Sequence, residues 1–186
     1  MDKREAILDA AEHQFYEAGF HATGIDRIVA AAAVTPRTLY RHFRSKEALV
    51  QAVLERREAR FMWVLDETLE REVGHEADRW REFFARLGAW FRDEGAAGCL
   101  FLKALGEYGC RNDAIAQQVL GYKQALIDGL RQRLRASGVA DSPAAADGLL
   151  LLLEGAVAMA PVLGGDAAWR RAADSAARLL ATHDTT

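Results

Sequence analysis

The chain has 186 residues, enough for one large domain or two small ones, and its 51% apolar and 27% charged content is typical of a soluble globular protein. Three prolines and no long β-branched run argue for an all-α fold. Two cysteines without CxxC spacing, Cys99 and Cys110, give no sign of a disulfide framework and fit a reducing cytoplasm.

The net charge of −3 does not by itself suggest a nucleic acid, but its distribution does. Residues 1–60 carry ten basic and nine acidic side chains, and the remainder fourteen and eighteen. A locally basic head on an acidic body limits indiscriminate DNA binding.

Residues 3–19 read as a first helix with the stripe Ile7, Leu8, Ala11, Phe15 and Ala18, ended by Gly19. Its start, MDKREAILDAAE, is charged and amphipathic and is no signal peptide. Thr23 is placed to cap a second helix, with Asp26 completing a weak capping box. Ile25, Ile28, Val29 and Ala32 give that helix one apolar face. Val34 falls in a turn. Thr35 is a good N-cap, and Pro36 takes the first position of a third helix, where its missing N–H does no harm. Leu39 and Phe43 face inward. Arg37, Thr38, Tyr40, Arg41 and His42 are left outside, and Ser45 caps a fourth helix. From Arg27 to Lys46 there are five basic residues and no acidic one. A short capped helix presenting Arg, Thr, Tyr and His suits a DNA major groove.

The segment IVAAAAVTPRTLYRHFRSKEAL resembles the helix-turn-helix signature of the tetracycline-repressor-like (TetR/AcrR) transcription regulators. VTPRTLYRHFRSKEAL aligns without a gap. Ala33 stands where that family usually has glycine, and a left-handed backbone there would cost alanine about 1–2 kcal/mol. The DNA-binding residues expected from the segment are Thr23, Thr35, Arg37, Thr38, Tyr40, Arg41, His42 and Lys46.

The fourth helix is expected to be long, from Ser45 to about Glu72. Its middle, ERREAR, reads as a solvated neck joining a head (1–46) to a body (47–186) as a stiff rod. Gly74 breaks it. The next helix, from Asp78 to about Glu94, has a wide aromatic stripe of Trp80, Phe83, Phe84, Leu87, Trp90 and Phe91. GAAG comes next, as a loop. Cys99 to Tyr108 reads as a short helix, and GCLFLKALGEYG resembles the start of the sixth helix in many members of the same family. Asn112 caps a helix to about Ala136, striped by Ile115, Val119, Tyr122, Leu126, Leu130 and Leu134. Gly138 stops it. Ser142–Pro143 starts an eighth helix, apolar nearly all round to Leu163, which implies burial on several sides. With Asp147 and Glu154 inside it, its uncharged parts are too short to span a bilayer. Asp166 caps a ninth helix striped by Trp169, Ala172, Ala173, Ala176, Leu179 and Leu180. The count of nine helices matches what the resemblance implies.

Five scattered histidines show no metal-ligand spacing, and no GxSxG, GxxxxGK[ST] or GxGxxG occurs. No catalytic residue, metal or cofactor is therefore expected. The aromatic residues of the body, with Met159, fit either an ordinary core or the ligand cavity that the resemblance implies. The expected ligand-binding residues are Phe84, Leu87, Trp90, Phe101, Leu105, Tyr108, Tyr122, Leu126 and Glu154. Glu154 is the polar one, able to satisfy Tyr108 or Tyr122 or to meet a ligand. The expected dimer face is Leu150, Val157, Trp169, Ala172, Ala173, Ala176 and Leu180, from the eighth and ninth helices of two subunits packed as a four-helix bundle. The expectation is a cytoplasmic homodimeric repressor of a palindromic double-stranded DNA operator, released by an apolar or aromatic effector. Two alternatives stay open: a helical ligand-binding protein or enzyme with a vestigial head, and an effector-free architectural DNA-binding protein.

Overall fold

The computed structural model describes residues 2–69, 76–93, 98–109, 112–139 and 141–181. Nine helices and no strand occur among them: α1 (Lys3–Ala18), α2 (Ile25–Ala31), α3 (Pro36–His42), α4 (Lys46–Leu69), α5 (Glu76–Asp93), α6 (Leu100–Tyr108), α7 (Asp113–Ala136), α8 (Ser142–Leu163) and α9 (Gly165–Ala181). They gather into two compact units, Met1–Arg60 with Leu100–Gly121, and Phe61–Cys99 with Tyr122–Thr186. The chain thus passes between the units within α4, just before α6, and within α7. The expected break at Gly74 falls outside the described residues, as does GAAG except for Gly98, which has φ 94°.

In the first unit, α1, α2 and α3 pack together around Ile7, Leu8, Phe15, Phe20, Ile28 and Leu39, all at most 1% exposed. Each such side chain contributes about 1.5–3 kcal/mol by leaving water. Asp2 caps α1 by accepting from the Arg4 N–H at 3.2 Å, and Gly19 ends it at φ 84°. The Thr23 cap expected for α2 is not made. Its N-cap is Gly24, while the buried Thr23 hydroxyl donates to the Gly19 carbonyl at 2.7 Å.

The charged middle of α4 is not a solvated neck. Glu12 of α1, 6% exposed, receives Arg56 at 2.6 Å, Arg57 at 2.8 Å and Arg60 at 3.4 Å. Arg56 also reaches Asp9 at 2.7 Å and Glu5 at 3.3 Å. Burial works against the Arg56 charge, but its bonds to Glu12 and Asp9 outweigh burial and raise its pKa. Glu5, Asp9 and Glu12 share one face of α1, so the basic run of α4 meets an acidic stripe at helical spacing. The network lies wholly within the first unit, which runs to Arg60 on this side.

In the second unit, α9 packs against both α5 and α8. Trp169 is its hub, stacked on Phe91 at 5.2 Å between centroids and tilted against Phe84 at 6.3 Å. Gly88 makes room for it, since a Cβ there would lie 2.8 Å from the Trp169 ring. Arg131 of α7 meets Asp147 of α8 at 3.0 Å, Arg92 of α5 meets Asp166 of α9 at 2.5 Å, and Arg133 of α7 pairs with Asp66 of α4. Asn112 caps α7 as expected, and Asp141, not Ser142, caps α8.

The alanine face of α9 is therefore internal. Val157, Trp169, Ala172, Ala173, Ala176 and Leu180 are all buried within the chain, which corrects their expected place on a dimer face; Leu150 is half-buried. The expectation that α8 is buried on several sides also fails. One side, with Ala145, Leu149, Leu153, Ala156 and Ala160, is buried, whereas Leu151 (73%), Met159, Val162 (71%) and Leu163 are exposed. By length and a mean hydropathy of 1.7, α8 meets the requirement for crossing a membrane, with a third of that window buried. A soluble core helix packed against α9 has the same profile.

Candidate nucleic-acid interface and effector site

The recognition helix is built locally. Thr35 accepts from the Thr38 N–H at 3.2 Å, its hydroxyl meets that of Thr38 at 3.0 Å, and Pro36 supplies a preset φ. Leu39 and Phe43 anchor α3 from beneath. The turn before it runs through Ala33 at φ 52°, the one non-glycine residue at positive φ among those described. Alanine therefore holds the left-handed conformation that was expected only conditionally, at about 1–2 kcal/mol.

Around this frame Arg37, Tyr40 and Arg41 are exposed, with Tyr40 at 50%, and so are Thr35, Arg27 and Arg44. Thr38 and His42 are half-buried, and the His42 ring lies 6.4 Å from Phe43 with Nε2 buried. Lys46 is half-buried, and its Nζ donates to the His21 carbonyl at 3.4 Å. Thr23 is fully buried and offers nothing to a ligand, which corrects its expected role in DNA binding. The arrangement leaves a short helix with two arginines and a phenol in solvent, and no carboxylate between Arg27 and Lys46.

The expected ligand residues are divided between the units. Phe101, Leu105 and Tyr108 belong to the first, and the other six to the second. Tyr108 is buried beside Phe20 and His21, at 5.9 and 4.6 Å between centroids. Burial, reinforced by Glu47 and Glu107, pushes its phenol up to about 12. In the second unit Phe84 and Leu87 are fully buried, Phe84 facing Trp169. Trp90, Tyr122 and Glu154 belong to one cluster. Phe61, which sequence reasoning missed, joins Trp90 at 6.1 Å to Tyr122 at 6.2 Å. Lys123 lies 5.2 Å from the Tyr122 ring, pairs with Glu154, and stands 3.7 Å from the Cys99 sulfur. Glu154 thus meets a lysine and neither expected tyrosine. Its Oε2 is buried without a hydrogen-bond donor. The cluster combines aromatic walls, a charged pair and an acceptor with spare capacity.

Comparison with known proteins agrees with the geometry. Residues 7–53 match the family described as bacterial regulatory proteins, tetR family. The HTH-type transcriptional regulator UidR of Escherichia coli K12 is 48% identical over 62 residues, 31% of this chain and 32% of UidR. The HTH-type transcriptional repressor NemR of the same organism is 33% identical over 107 residues, 57% of this chain and 54% of NemR. The chain thus spans about a third to a half of these relatives. Among solved structures, a TetR-family transcriptional regulator from Streptomyces coelicolor superposes with a TM-score of 0.88 at 28% identity, covering 97% of this chain and 95% of that one. The reduced form of E. coli NemR superposes at 0.81 with 24% identity, covering 96% and 97%. Residues 7–53 thus carry the helix-turn-helix of the tetR family, and the chain as a whole shares the fold of solved TetR-family transcriptional regulators.

Proposed function

We propose that this protein is a cytoplasmic repressor that binds a palindromic operator as a homodimer and is released by an aromatic small molecule. The observation that carries the reading is α3, capped at Thr35 and anchored by Leu39 and Phe43, with Arg37, Tyr40 and Arg41 in solvent. Arg37 and Arg41 offer donors to guanine edges or phosphate, and Tyr40 a hydroxyl to phosphate. Lys46 and Arg44 add phosphate contacts at the end of α3.

The second copy is proposed to seat on the exposed side of α8. Leu151, Gly155, Met159 and Leu163 line a groove there with Ala168, Arg171, Ala172 and Ser175 of α9. Spaced every four residues, they form an apolar stripe that a symmetric partner can cover. The effector is proposed to enter beside Trp90, Phe61 and Tyr122 and to present a donor to Glu154 Oε2. The test is operator binding on DNA from upstream of its own gene, with and without aromatic compounds that quench tryptophan. A compound that binds tightly but leaves operator affinity unchanged binds both states equally and is not the inducer.

A further inference from the structure

The turn that ends α1 is held by a carboxylate from far along the chain. Glu107, in the last turn of α6, accepts from the Phe20 N–H at 2.9 Å and from the His21 N–H at 2.6 Å. His21 Nε2 donates to the Glu107 carbonyl at 3.0 Å, so the two residues grip each other in both directions. Tyr108 covers the grip edge-on to both Phe20 and His21, and Lys46 donates to the His21 carbonyl. Glycine suits position 19, whose φ is 84°, and a Cβ there would crowd the Glu107 carboxylate oxygen at 2.8 Å and push it off the two amides. These are charge-assisted bonds to two successive amides, the strong class of hydrogen bond. The gripped turn leads through the buried Thr23 into α2, and so into the helix-turn-helix.

We propose that Glu107 is a positioning residue for operator recognition, the catch by which α6 fixes the DNA-binding head. This rests on the regulator reading above. The residue before α6, Cys99, belongs to the second unit, where it neighbours the Lys123–Glu154 pair of the proposed effector cluster. The nine residues of α6 therefore join the effector cluster to the head turn through one short covalent element. With the catch closed, the head holds one orientation. With it open, the head tolerates several, and the separation of two half-sites is read less strictly.

The test compares wild type with Glu107→Gln and Glu107→Ala, well below the melting transition. Gln keeps one acceptor oxygen and Ala none. Amide exchange at Phe20 and His21 is expected to be slow in wild type, about tenfold faster or more in the Ala variant, and intermediate in the Gln variant, while the Leu39 amide is unchanged. If the Ala variant does not fold, the Gln variant carries the comparison. Operator affinity is expected to fall about tenfold or more in the Ala variant. The variant is also expected to lose discrimination against an operator with one extra central base pair, which turns one half-site by about 35° relative to the other. Purely structural damage weakens binding to both operators alike. Equal exchange in wild type and variant overturns the catch whatever the DNA result. Faster exchange with unchanged affinity and spacing discrimination overturns its positioning role. Failure of wild type to bind any upstream DNA sinks the regulator reading instead, and exchange alone then decides the catch.

Discussion

Ala33 shows how a single backbone angle taxes the head. At φ 52° it holds a conformation that glycine adopts freely. Ala33→Gly is expected to stabilise the protein by about 1 kcal/mol without weakening operator binding, measured by thermal melts and DNA titration. Lower stability would mean that the alanine methyl makes a contact worth more than the strain. The departure was legible in the sequence because the family pattern marks the position. Thr23 was not legible. A threonine before an apolar helical period reads as a cap, but here the chain turns so that its hydroxyl closes the end of α1. Only the tertiary path decides whether that hydroxyl accepts from an α2 amide or donates to an α1 carbonyl. At the DNA surface, Lys46→Ala is expected to weaken binding uniformly across sequences and to lower the salt slope by about one unit, read from a salt series. A sequence-dependent loss would reassign Lys46 to base contact.

Among elements, α1 and α4 are joined by Glu12 and three arginines. Breaking a buried ion pair on one side costs about 3–5 kcal/mol, because the remaining charges stay buried. Glu12→Ala is therefore expected to destabilise the protein by that order, measured by denaturant unfolding. A loss under 1 kcal/mol would show the network to be solvated. ERREAR looked like a solvated run because sequence spacing on α4 alone cannot show which neighbour supplies the acids; pairing it with Glu5, Asp9 and Glu12 would have. Tyr108 gives the same unit an alkaline limit. Its phenol is raised above the ordinary value of 10, so the neutral form is the one the fold favours. That contribution is complete below pH 10 and is lost as pH rises toward about 12, where phenolate absorbance and unfolding are expected to rise together. The apolar period of α8 was equally visible, but periodicity does not tell a core side from an interface side. The bulk on Leu151, Met159 and Val162 and the smallness of the α9 alanines decide it: small residues let α9 sit close to α5 and α8, and large ones remain outside.

For the whole molecule, the proposed dimerisation uses the outer side of α8, the side its own chain leaves exposed. Leu151→Arg is expected to give monomers with native helicity and weaker operator binding, since two linked heads gain affinity that single heads lack. An intact dimer in sedimentation would move the interface elsewhere. Ala176→Arg is expected to unfold the second unit instead, because Ala176 is fully buried. Nine helices and their order were readable from caps, stripes and glycines. The grouping into units was not, because α6 is joined to the head by Glu107 and Tyr108, residues 86–88 positions away from the turn they hold, a separation no local pattern reports. The central claim is that α3 reads DNA. Fluorescence anisotropy of labelled upstream DNA, titrated with wild type, Tyr40→Ala and Arg37→Ala in excess competitor DNA, tests it most directly. Wild type is expected to bind one fragment saturably and salt-sensitively, with both variants about tenfold weaker or more and their folds intact. Specific wild-type binding that both variants retain in full would contradict it.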